Sequence, residues 1–243
     1  MVFVADAYKQ AMWVVPRPEY NRRMQDNHEF PILTVDCVLF QLIKDKLSLL
    51  IIKRAFEPHK GEPALPGVYV SKDEPTKLAL KRVLKDKTGI EASKVVFIDQ
   101  PYAFDMPKRD PRGYAVTVMY IGLTKNLRLS GQESLQNPEF IEINSIPKLA
   151  YDHGNIVKFA HDRIKSLAMS TNVVARLLPK HFTFLQLQSA YEAILGAKLD
   201  KRNFRKKMLQ HGLVESANKI EKDGAHRPAE LYKFVETTPN IFK

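Results

Sequence analysis

Apolar positions recur along this chain with two periods. Within Pro31 to Arg54, ILTVDCVLFQLI and KLSLLIIKR are rich in aliphatic and β-branched residues and flank Lys44-Asp45, which predicts a hairpin. VVFIDQPYAF and YAVTVMYIGL predict two more strands around the charged loop DMPKRDPRG. In the second, Tyr114, Val116, Val118 and Tyr120 alternate with Ala115, Thr117, Met119 and Ile121, so both faces are apolar and the strand is covered on both sides. PEFIEI gives a last strand, and the helical period of Ile156, Val157, Phe159, Ala160, Ile164 and Leu167 predicts a helix over Asn155–Met169. Between the strand pairs lies ALPGVYVSKDEPTKLALKRVLKDKTGI. It reads as a tight Pro66-Gly67 turn, an extended piece through Val70, and an amphipathic helix stopped by Gly89. Leu78, Leu80, Val83 and Leu84 form its apolar side, and Lys77, Lys81, Lys85 and Lys87 its polar one.

The last seventy residues follow a different plan. VVARLLP predicts a short helix ended by Pro179, FTFLQLQSAYEAILG a second ended by Gly196, and DKRNFRKKMLQHG a third capped by Asp200 and stopped by Gly212. On the third, Phe204, Met208 and Leu209 are expected to face the core. LVESANKI and AELYKFVE predict two strands around a tip from Glu221 to Pro228. Three helices and a two-stranded wing describe a winged helix-turn-helix. The boundary falls near Ser170, giving an extension over 1–30, a first domain over 31–169 and the winged domain over 170–243. The connection is short and apolar, so the two domains are expected to dock.

Composition narrows the function. A chain of 243 residues with 44% hydrophobic residues can build two packed units. The single cysteine, Cys37, forms neither a disulfide nor a zinc site and is expected in the core. No apolar run reaches membrane-span length and the start lacks the order of a signal peptide, so a cytoplasmic protein without membrane contact is expected. A net charge of +11 points to a polyanionic partner. From Gly196 to Lys233 ten basic residues face five acidic ones, so the excess is concentrated there. Lys201, Arg202, Asn203, Arg205, Lys206 and Lys207 sit in the half of the third helix that enters a major groove in such folds. Arginine there can read guanine and asparagine adenine, while lysine mostly holds phosphate. Arg227, beside Pro228 in the wing tip, is placed to reach phosphate or the minor groove. Arg109 and Arg112 in the charged loop suit the oxygens of a diphosphate.

The Ala64–Ile90 stretch resembles a Nudix box. Glu74, Arg82, Gly89 and Ile90 match its pattern, Val68 stands at its first glycine, and its three metal-binding carboxylates become Val83, Asp86 and Lys87. Nudix hydrolysis needs magnesium held by several clustered oxygens. Asp86 alone cannot supply them and an ammonium at Lys87 repels the ion, so no catalytic residues and no metal are assigned.

Taken together, TVDCVLF, LPG with the broken box, RDPRGYAVTV, FTFLQLQSAYEAILG, KRNFRKKM and HRPAELY resemble the Nudix-related transcriptional regulators of NAD metabolism, the NrtR family. The resemblance implies an α+β fold, a Nudix α/β/α sandwich followed by a winged helix-turn-helix. It implies a homodimeric repressor of NAD biosynthesis or salvage genes on a palindromic double-stranded operator. Its Nudix domain would bind ADP-ribose or a related nucleotide as effector, with no cofactor required. Arg54, Pro66, Gly67, Arg82, Asp86, Arg109 and Arg112 are the expected effector-binding residues. The alternative is an ADP-ribose pyrophosphatase with a basic accessory domain; an RNA-binding Nudix relative is a third reading.

Overall fold

The computed structural model describes residues 30–129, 136–221 and 228–236. The expected N-terminal extension and Arg227 fall outside these, apart from Phe30. The fold is built on β1 (Ile32–Ile43), whose side chains are buried on both faces from Val35 to Gln41. It turns through Lys44 and Asp45, both at positive φ (49° and 60°), into β2 (Lys46–Lys53). Two left-handed residues match the twist of a two-residue hairpin. β3 (Pro63–Ala64) pairs with β2, and β4 (Gly67–Tyr69) pairs antiparallel with β1, Asp36 opposite Gly67. β5 (Phe97–Phe104) runs antiparallel to β6 (Ala115–Leu123), which lies parallel to β1 from Ile32↔Ala115 to Phe40↔Leu123. β7 (Glu139–Glu142) pairs with β2, completing a seven-stranded mixed sheet.

The two faces of this sheet are covered by different helices, as the alternation of strand side chains requires. Val35, Cys37, Leu39 and Tyr120 share a core with Ala79, Leu80, Val83 and Leu84 of α1 (Thr76–Thr88). Val38, Phe40, Met119 and Ile121 share the other with Ile156, Ala160 and Ile164 of α2 (His153–Ser170). This is the expected α/β/α sandwich.

Three details of the first half differ from the sequence expectation. Leu65 and Pro66 bridge two short strands, so Pro66-Gly67 is no reversing turn. Leu78 is 50% exposed and Lys87 lies on the buried side of α1. At about 100° per residue, Leu78 lies about 140° from Val83, whereas Lys87 lies about 40° from it and about 20° from Leu80.

The C-terminal segment begins with a 3-10 turn, Val173–Arg176, in place of the expected first helix. The start of the expected second helix is instead β8 (Phe182–Thr183). Thr183 then caps α3 (Phe184–Leu195) reciprocally with Gln186, and Gly196 ends it at φ 68°. In α4 (Lys201–Gln210) the Asp200 side chain accepts the Asn203 N–H at 2.8 Å, the expected cap. β9 (Val214–Glu221) and β10 (Ala229–Phe234) form the wing and, with β8, a three-stranded sheet in the order β8-β10-β9. Phe204 and Met208 are buried, but Leu209 is 42% exposed, because it lies about 140° around α4 from Phe204.

The core on the α2 side of the sheet does not end at the sandwich. It continues through Ala168, Val173 and Leu187 to Phe204, Met208, Val214, Tyr232 and Phe234. Residues from Ile32 onward form one contact unit.

Candidate ligand pocket and nucleic-acid interface

One end of β1 opens into a cavity of about 250 Å³. Its geometry is set by Asp36, a single carboxylate in an apolar strand, 5% exposed. Gly67 on the neighbouring β4 makes room for it: a Cβ there would lie 2.1 Å from Asp36 Oδ1. Arg109 Nη2 approaches Asp36 at 3.6 Å and His153 Nε2 at 3.7 Å. The Leu65 N–H donates to His153 Nδ1 at 2.9 Å, which fixes the proton of the neutral ring on Nε2, toward Asp36. Burial pushes the His153 pKa below the ordinary histidine value, with Asp36 opposing.

The cations around the cavity are held in different ways. Arg109 is 5% exposed and donates twice to Asp152, at 2.8 and 3.0 Å. Arg112 donates twice to Asp110, at 2.9 and 2.5 Å, and its guanidinium lies 5.2 Å from the Tyr69 ring and 5.5 Å from that of Tyr151. Arg54 donates to the carbonyls of Pro58 (2.8 Å) and Phe56 (3.2 Å) and stacks 4.7 Å over Tyr151. Lys87 enters from α1 and lines the cavity.

Of the residues expected to bind an effector, Arg54, Gly67, Arg109 and Arg112 line this cavity. Pro66 adjoins it, its carbonyl accepting the Cys37 N–H at 2.9 Å. Arg82 and Asp86 are not among the lining residues. Arg82 braces the box: it donates to Glu74 Oε1 (2.9 Å), Glu74 Oε2 (2.7 Å) and the Tyr69 carbonyl (2.8 Å). Together with the Ser71 N–H it holds the Glu74 carboxyl at about 2, well under the usual range. Asp86 is exposed. Sequence reasoning missed Asp36, Lys87, Tyr69, Tyr151 and His153. Asp36 was discoverable as a lone acid in ILTVDCVLF, and Lys87 by counting turns from Val83.

The positions that carry metal ligands in a complete Nudix box do not fit a divalent ion. Val83 is 1% exposed within the core, Asp86 is exposed and not among the residues lining the cavity, and Lys87 brings a positive charge. No cluster of three or more His, Cys, Asp or Glu suited to a metal occurs among the described residues.

The second candidate site is α4. Lys201, Arg202, Asn203, Lys206 and Lys207 are all exposed, on the sides away from Phe204 and Met208. Arg205 is also exposed but engaged: its guanidinium lies 4.5 Å over Phe184 and 5.2 Å from Tyr232, and donates to the Tyr232 hydroxyl at 2.5 Å. Tyr232 in turn donates to Glu230. Arg205 thus ties α4 to α3 and to the wing strand. Among the described residues no helix is long and apolar enough to cross a membrane.

Residues 174–234 match the family profile described as the NrtR DNA-binding winged helix domain. The chain is 34% identical over 218 residues to the ADPR responsive transcriptional repressor NtrR of Acinetobacter baylyi, covering 87% of this chain and 85% of that protein. It is also 34% identical over 128 residues to an ADP-ribose pyrophosphatase of Methanocaldococcus jannaschii, covering 53% of this chain and 72% of that protein. Among solved structures, Shewanella oneidensis NrtR complexed with a 27mer DNA superposes with a TM-score of 0.70 at 29% identity, over 83% of this chain and 93% of that one. The NUDIX domain of the same regulator, complexed with ADP ribose, gives 0.52 at 26% identity, over 60% of this chain and 98% of that one. With a Nudix sandwich whose box keeps one of its three metal-binding carboxylates and a winged helix packed onto it, the chain belongs to the NrtR family of Nudix-related transcriptional regulators.

Proposed function

We propose that this protein is a DNA-binding transcriptional repressor whose Nudix-type domain binds ADP-ribose as an effector and does not hydrolyse it. The observation that carries the reading is a cation-rich cavity, with no metal-binding carboxylate cluster among the described residues, joined through one core to a winged helix with an exposed basic helix. In the cavity, Arg54, Lys87 and Arg112 face the diphosphate, and Tyr69 and Tyr151 offer ring faces to the nucleoside. In the winged segment, Lys201, Arg202, Asn203, Lys206, Lys207 and Arg227 contact a palindromic operator, bound by a homodimer in the cytoplasm. The two domains divide near Ser170, and the regulated genes serve NAD biosynthesis or salvage. The relatives named above support this reading: one is called ADPR responsive, and another is seen with DNA.

Ligand and DNA are linked through differential affinity. If ADP-ribose binds best to a dimer geometry whose paired α4 helices do not match successive major grooves, it lowers operator affinity by that same difference. Selection of bound sequences from random duplex DNA, repeated with and without ADP-ribose, tests both halves. A palindromic consensus released by ADP-ribose is expected; DNA binding unchanged by ADP-ribose, NAD and related nucleotides refutes the effector assignment.

The rival reading, an ADP-ribose pyrophosphatase, is favoured by the likeness of 53% of the chain to the M. jannaschii enzyme. AMP release from ADP-ribose with magnesium or manganese decides between them, and none is expected.

A further inference from the structure

We infer that Lys87 takes the place of the divalent cation in this pocket: its ammonium is the counter-charge for the ligand's diphosphate, so binding needs no metal. The inference rests on the reading of the cavity as a nucleotide site and assigns its chemistry.

Three observations lead to it. First, Lys87 comes from the box helix itself, on the buried side of α1, and reaches the cavity wall. Second, it differs from its cationic neighbours in lacking a partner. Arg109 is paired with Asp152 and Arg112 with Asp110, while Arg54, which keeps its charge, is held in place by two carbonyls and a ring. Asp36, the remaining buried acid, already has Arg109 and His153 beside it. Lys87 makes no hydrogen bond or ion pair with any described residue.

Third, its surroundings disfavour an uncompensated charge. Burial, and then Arg54, push the Lys87 ammonium below the ordinary lysine value; Asp36 opposes this, and Arg112 and Arg82 add to it. A largely desolvated cation beside other cations is costly unless an anion arrives. A complete Nudix box meets a diphosphate with carboxylates and metal, whereas here Val83 is sealed in the core and Lys87 brings a positive charge to the cavity wall. Two adjacent phosphates carry the charge such a site lacks. A mononucleotide's single phosphate supplies less of it.

Calorimetry on the full-length protein tests this, with ADP-ribose and with inorganic pyrophosphate, first in EDTA and then with magnesium. Wild type is expected to bind equally well in both buffers. Lys87→Met should lose about 10- to 100-fold in affinity for both ligands, and Lys87→Arg should retain most of it. The ligand-free Lys87→Met protein should melt no lower than wild type, a result that a merely structural lysine would not give. Binding lost in EDTA, or Lys87→Met binding like wild type, overturns the inference. Wild type that binds pyrophosphate through Lys87 but not ADP-ribose keeps the counter-charge and refutes the effector; wild type that binds neither refutes both.

Discussion

At the scale of single residues, Gly67 shows how little room this pocket leaves. Its Cα lies where any side chain would meet the Asp36 carboxylate at 2.1 Å and the Val35 carbonyl at 3.3 Å. Gly67→Ala must therefore displace Asp36 from Arg109 and His153. The expected cost is about 1–3 kcal/mol of stability, measured by urea unfolding, together with weakened nucleotide binding by calorimetry. The sequence LPG marked this glycine, but for the wrong reason. A turn was expected where the need is close approach between two strands. Lys87 shares a lysine-rich run with the exposed Lys81 and Lys85, but the turn count from Val83 puts it inward. Partners distant in sequence were beyond reach: Arg109 and Asp152 are 43 residues apart and meet only through the tertiary fold.

Elements were more legible than sites. Helix ends carry local chemistry, so Gly89, Gly196 and the Asp200 cap were readable directly, and the hairpin at Lys44-Asp45 was signalled by the two apolar runs that flank it. The 3-10 turn at Val173–Arg176 and the two-residue β8 were not readable, because burial among α2, α3 and the wing decides them against local helical preference. For α4 the structure separates roles that charge alone groups together. Arg202→Ala should cost about 1–3 kcal/mol on the preferred operator if Arg202 contacts a base, and Lys206→Ala should reduce the salt slope by about one. Arg205→Ala should instead lower thermal stability and weaken binding to all sequences alike, since Arg205 holds α4 against Phe184 and Tyr232. Anisotropy titrations on specific and random duplexes at several salt concentrations, with melting curves, distinguish these outcomes. Arg205→Ala acting on one base position alone would contradict the bracing role.

For the whole molecule, the continuous core from Val38 to Phe234 predicts a single cooperative unfolding transition for residues 32–243, with both halves lost together in calorimetry. Two separated transitions would contradict it. Its stability should also depend on pH through His153 and His161, both held below the ordinary histidine value by burial. The unfolded chain then binds the extra protons below about pH 6.5, so stability is level above that point and falls as pH drops toward the folded values. The slope is at most about 1.4 kcal/mol per pH unit for each histidine.

The helix α2 has a position that matters for how such a molecule reports a bound ligand. Its N-terminal turn is part of the cavity: Asp152 grips Arg109, and His153 accepts the Leu65 N–H. Its other end, 18 residues on, runs through Ser170 into the buried Thr171, Asn172 and Val173 beneath the winged segment. A helix of that length spans about 27 Å as a stiff rod. The helix therefore joins the cavity wall to the start of the winged segment, and a tilt of a few degrees at one end of such a rod would become a displacement of about an ångström at the other.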